Sequence, residues 1–94
     1  MSGNGKRSDM AISAAILTVA LNGAKKSHII YKANINFKLG KKYLTRLINS
    51  GLIEGPNNGS KVFSTTDKGT EYLKYFEGFK QFMPLPDVGN AGSY

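Results

Sequence analysis

No cysteine occurs among the 94 residues, so no disulfide staples the fold and no thiolate can hold a metal. The lack fits a reducing compartment. There is a single histidine, His28, and one imidazole cannot build a metal site alone. Acidic residues are missing from Met10 through Ile53. A run of the ~20 apolar residues that a bilayer-crossing helix needs is missing as well. The longest apolar stretch, Met10 to Leu21, is interrupted by Ser13 and Thr18. Lys6 and Arg7 ahead of that stretch imitate a signal peptide, but Asp9 intrudes and no small-x-small cleavage site closes it. No nucleophile-base pair and no paired carboxylates stand out, which argues against an enzyme. No cofactor motif is present either.

What is present is lopsided charge. Thirteen Lys and Arg face six Asp and Glu, a net of +7. The acid-free stretch holds seven positives: Lys25, Lys26, Lys32, Lys38, Lys41, Lys42 and Arg46. Outside it, six basic and six acidic residues cancel. The whole net charge therefore lies in one segment, and a one-sided field attracts a polyanion. A chain of this length is one domain with a small core. With disulfides and metals excluded, self-association is the remaining aid to stability.

The pattern predicts residues 1–7 as a disordered basic arm, 8–83 as the folded domain and 84–94 as a disordered tail. Ser8 or Asp9 caps a first helix to about Leu21, stopped at Asn22-Gly23. This helix is apolar almost all round, which predicts burial on two sides, the second against a partner subunit. Ala24-Lys25-Lys26 reads as a link, and Ser27 as the cap of a second helix to about Ala33. Asn34 supplies a left-handed turn, Ile35 points to the core, and Asn36 caps a third helix, Phe37 to Asn49. Phe37, Gly40, Leu44, Leu47 and Ile48 form its apolar stripe. Gly40 implies close packing on the second helix. The opposite face carries Lys38, Lys42, Thr45, Arg46 and Asn49, with Lys41 and Tyr43 flanking it. Leu52–Glu54 and Val62–Ser64 read as strands around an Asn58-Gly59 turn. Thr66 caps a fourth helix to about Met83, rich in Tyr and Phe and stopped by Pro84.

The order is helix, helix, short turn, helix, hairpin, helix. This predicts a mainly α fold with a small β-hairpin, a winged helix-turn-helix. The second helix of such a unit enters the major groove of DNA. Lys38, Lys41 and Lys42 then reach phosphates. Asn36, Lys38 and Lys42 are also best placed for bases, because N-terminal residues enter deepest; Thr45, Arg46 and Asn49 lie later. Lys25, Lys26 and Ser27, at the start of the second helix, suit a phosphate. Lys61, at the foot of the wing, reaches the backbone. A winged helix that docks another protein, or one that binds RNA, stays open as an alternative.

The run Asn22-Gly-Ala-Lys-Lys-Ser-His-Ile-Ile-Tyr-Lys-Ala-Asn-Ile-Asn-Phe-Lys-Leu-Gly-Lys-Lys-Tyr-Leu44 resembles the helix-turn-helix of small archaeal winged-helix DNA-binding proteins. These are the ten-kilodalton chromatin-type proteins and related transcription regulators. Gly51-Leu-Ile-Glu54 and Thr66-Asp-Lys-Gly-Thr-Glu-Tyr-Leu73 match the group's wing entry and fourth helix. The resemblance spans about residues 10–80. It implies a cytoplasmic, nucleoid-associated homodimer on double-stranded DNA, either a regulator or a chromatin-type protein, with Lys38, Lys42, Thr45 and Arg46 on the binding face. It also implies pairing through the C-terminal helix. Pro84 makes that helix short for an extended coiled coil, so the expectation is a compact interface of Ile12, Ile16, Tyr72, Tyr75, Phe76, Phe79 and Phe82.

Overall fold

The computed structural model describes residues 8–56 and 59–82. The basic arm, Asn58 of the hairpin turn, the Pro84 stop and the tail lie outside the described residues.

Helix α1 spans Asp9–Val19 and ends in a 3-10 turn, Ala20–Asn22. Ser8 caps it: its Oγ accepts from the Ala11 N–H at 3.1 Å. Gly23, at φ 88°, makes the exit. Strand β1, Ala24–Lys25, follows directly and leads into α2, Lys26–Ala33. Asn34 takes the left-handed turn at φ 59°. Asn36 caps α3, Phe37–Asn49, its Oδ1 accepting from the Leu39 N–H at 2.7 Å. Gly51, at φ 78°, releases the chain into β2, Ile53–Glu54. Strand β3, Val62–Thr65, returns along it, and α4 runs Asp67–Phe82. Thr66 caps α4, its Oγ1 accepting from the Gly69 N–H at 3.1 Å.

Strand β3 lies between the other two, in the order β1-β3-β2, with both pairings antiparallel. Ala24 faces Phe63 and Ile53 faces Thr65. The hairpin is thus tied back to the start of α2, and that fixes where the wing stands relative to the helix-turn-helix. Two expectations are corrected by this. Ala24-Lys25 is a strand and not a link, because β3 offers its backbone a ladder partner. Helix α2 then begins at Lys26 with Lys25 in the cap position, and no side chain caps it, so Ser27 has no capping role.

The core gathers around α1. Ile16 and Leu17 are fully buried, with Ile29 of α2 and Ile53 of β2, and Leu44, Leu47 and Phe63 close the set. Helices α2, α3 and α4 and strand β3 all pack on α1. The all-round apolar helix is therefore satisfied within one chain. Ile12 and Ile16, expected at a dimer interface, are 7% and 0% exposed and have no surface to offer a partner. What α1 and its 3-10 turn leave in solvent is Asp9, Met10, Thr18, Leu21 and Asn22.

The close approach at Gly40 is as expected. A Cβ there would stand 2.7 Å from Ile30 Cδ1. Gly40→Ala gains up to ~1 kcal/mol of helix propensity but forces apart the α2–α3 contact at a cost of about 1–3 kcal/mol. We expect a net loss near 1 kcal/mol, a fall in Tm of about 4–8 °C. Ile30→Val should not rescue the variant, because it removes Cδ1 but keeps Cγ1, the atom that the new Cβ meets first; a Gly40→Ala variant that melts higher than wild type would refute the packing argument.

Candidate nucleic-acid interface

Helix α3 is held by its apolar side and offers the rest. Gly40, Tyr43, Leu44 and Leu47 face inward. Lys38, Lys42, Thr45 and Asn49 fall on the opposite row and are all exposed. No carboxylate lies on this helix. Asn36 is exposed, but its Oδ1 is committed to the cap, which leaves only its amide NH2 to donate outward.

The edges of α3 differ from expectation on both sides. On one edge Phe37, placed in the apolar stripe, is 57% exposed. Side chains of a helix lean toward its N-terminus, so a ring at the first helical position overhangs the end of α3 instead of entering the core. Lys26 Nζ lies 5.0 Å from the centroid of that ring. Lys41, one turn on, shares this edge and is exposed.

On the other edge the fold brings up Asp9. Tyr43, expected to flank the polar face, is buried, and its hydroxyl donates to Asp9 Oδ1. Arg46 stands 3.9 Å from Asp9 Oδ2, with its guanidinium 5.3 Å from the Tyr43 ring centroid. Arg46, expected on the binding face, thus also has a partner within the chain. Both partners are well exposed, so the ion pair is worth under about 1 kcal/mol and does not lock the side chain. Asp9 immediately precedes the acid-free stretch, and sequence distance gave no sign that it would meet α3.

The hydrogen bond to the Asp9 carboxylate raises the Tyr43 pKa, with burial and the Asp9 charge adding to it and Arg46 opposing. The folded state therefore holds this proton above pH 10, where the unfolded chain has released it. Stability from this group is present at neutral pH and is lost as pH rises from about 10 through the folded value. Alkaline melting curves should fall over that window, and Tyr43→Phe should remove this component of the fall. An unchanged pH profile in the variant would reject the assignment.

A second basic cluster sits beside Phe37. Lys25 and Ser27 are exposed at the N-terminus of α2, Lys26 is half-buried, and Lys61, at φ 57°, is exposed at the foot of β3. Lys25, Lys26, Ser27 and Lys61 line one groove between α2, α3 and the wing. Of the expected contacts, the structure therefore assembles Lys25, Lys26, Ser27 and Lys61 as one group and Lys38, Lys42 and Thr45 as another, with Lys41 on the edge toward Phe37.

At the far end of the molecule the charges of α4 cancel, Asp67, Glu71 and Glu77 against Lys68, Lys74 and Lys80. The first half of α4 packs on α1 and β3, and Phe76 is buried. Tyr72 is half-buried, its hydroxyl donating to the Met10 carbonyl at 3.3 Å. Tyr75, Phe79 and Phe82 are 75%, 42% and 86% exposed. Together with Met10 they border an apolar groove of about 540 Å³. The expected pairing surface thus shrinks to these residues, with Tyr72 at its edge and Phe76 as its floor.

The winged helix-turn-helix family model matches residues 6–83. The chain belongs to this family. Among solved structures, Sso10a-2, a DNA-binding protein from Sulfolobus solfataricus, is 28% identical, with 81% of each chain covered and a TM-score of 0.71. A comparison with curated proteins gives no match. The resemblance and the winged-helix fold inferred from the sequence are both borne out. Among the described residues, no helix is long and apolar enough to cross a membrane, and no group of three or more His, Cys, Asp or Glu is placed to hold a metal.

Proposed function

We propose that this winged helix-turn-helix protein binds double-stranded DNA as a homodimer. The observation that carries the reading is the outward row of α3, Lys38, Lys42 and Thr45, exposed and free of carboxylates. A helix of that character fits the major groove. Lys25, Lys26 and Ser27 then meet a phosphate at the start of α2, where the helix dipole favours an anion. Lys61 meets the backbone from the wing. The similarity to a DNA-binding protein over most of both chains supports the same reading. The bare aromatic end of α4 is the surface for a second copy.

The test is a salt titration of binding to a duplex. The affinity should fall with a log-log slope of about −0.9 for each phosphate neutralised. Weak binding that salt leaves unchanged, or a preference for duplex RNA, would overturn the proposal. Selection from random duplexes then divides its two forms: a short consensus marks a transcriptional regulator, and no enrichment marks a nucleoid protein that coats DNA.

A further inference from the structure

The groove between α2, α3 and the wing has a chemistry that duplex binding does not use. It is an open groove of about 520 Å³. Phe37, Pro56 and Phe63 supply an apolar lining, while Lys25, Lys26 and Lys61 stand around it. Among the described residues, no carboxylate lines it. Phosphate needs only the lysines. An exposed phenyl ring among them, with an apolar floor beneath, asks for a flat apolar group that arrives with negative charge attached. A nucleotide in a duplex cannot present this, because both faces of its base are stacked. A nucleotide with an unpaired base can.

We propose that this groove receives an unpaired nucleobase of DNA at a bulge or junction, stacked on Phe37, with the flanking phosphates on Lys25, Lys26 and Lys61. The proposal rests on the reading of α3 as a duplex-binding helix and extends it to a structural preference among duplexes. The placement is consistent with that reading. The groove opens beside the first turn of α3 and against the wing, at the lysines assigned to the sugar-phosphate backbone under that reading. An extruded base leaves the helix across that backbone. Lys26 already stands 5.0 Å over the Phe37 ring, and its flexible stem lets the ammonium shift to a neighbouring phosphate as the base arrives.

The chain contains no tryptophan, so Phe37→Trp places a single indole reporter in the groove. Three duplexes of one sequence serve as probes: fully paired, with one extrahelical thymidine, and with an abasic nucleotide at that extrahelical position. The wild-type chain should bind the thymidine bulge about tenfold more tightly than the other two, the gain expected from one base on an aromatic ring. The Phe37→Trp emission should be quenched by the thymidine bulge and not by the abasic one. Phe37→Ala, at an exposed position outside the duplex-binding row, should lose the preference and keep its affinity for the paired duplex within about twofold. Equal binding of all three duplexes by the wild-type chain, or a preference that survives Phe37→Ala, would overturn the proposal. If the bulge binds and the paired duplex does not, the duplex reading fails and the groove stands.

Discussion

Changing Lys38 and Lys42 together to alanine is expected to lower affinity for duplex DNA about sixtyfold per bound protomer at ~0.1 M salt. The figure follows from counterion release. Each phosphate contact frees about 0.9 of a counterion, so lowering salt from ~1 M to ~0.1 M favours each contact about eightfold, and two contacts multiply. The salt slope of the variant should be shallower by about 1.8 for each protomer on the DNA. Melting should be unchanged, since both side chains are exposed on the outward row of α3 and neither has an ion-pair partner among the described residues. Lys68→Ala is the control. Lys68 lies at the start of α4 with its Nζ donating to the Ser50 carbonyl, and its loss should leave DNA affinity nearly as it was. Should it weaken binding as much as the α3 pair, the DNA contacts a different face.

Much of this interface was legible because local chemistry fixed it. Asn34 takes a left-handed conformation more cheaply than most residues, and Asn36 has an oxygen at the right reach for the Leu39 N–H. Gly40 amid lysines and leucines made sense only if something came close, and Ile30 does. With these in place the polar row of α3 follows from helical spacing alone. The features that escaped depend on partners distant in sequence. Ala24-Lys25 is a strand only because Val62 and Phe63 pair with it. Tyr43 packs into the core and its hydroxyl meets Asp9, 34 residues away in the chain. Phe37 looks like core by residue type, and its exposure comes from standing at the first position of α3, past the layer formed by Leu44 and Leu47.

The same reasoning explains why α1 misled. Ten apolar residues between Met10 and Leu21 were more than one face of a helix needs, and a small domain suggested a partner to cover the excess. The excess is covered by the chain itself. Helices α2, α3 and α4 and strand β3 surround α1, so a helix that looks peripheral by its place in the chain is central in the fold. The surface proposed for a second copy therefore lies not on α1 but at the end of α4, where Tyr75, Phe79 and Phe82 are exposed.

Phe79→Lys with Phe82→Lys is accordingly expected to convert the proposed homodimer into a monomer, raising its dissociation constant at least about a hundredfold. Helix α4 has 16 residues and is roughly 24 Å long, and the last side chain it buries is Phe76. Beside and beyond that point Tyr75, Phe79 and Phe82 stand exposed. Burying a large apolar side chain yields about 1.5–3 kcal/mol, and a two-fold interface counts each one twice. Six such burials offset an association cost of about 4–15 kcal/mol only if most of them are made. Four introduced ammonium groups per dimer remove most of them and add repulsion. Gly78 lies among these aromatics with open space where its Cβ would be, so nothing in its own chain requires a glycine there. A mid-helix glycine costs about 0.5–1 kcal/mol relative to alanine, and close approach by a second α4 would account for it. Sedimentation equilibrium decides the matter. A wild-type chain that is monomeric at every concentration would sink the dimer. A dimer that both lysines leave intact would move the interface elsewhere. If the dimer dissociates as expected, DNA affinity should fall with it although no DNA contact has been touched, because two linked binding surfaces hold a duplex far more tightly than one.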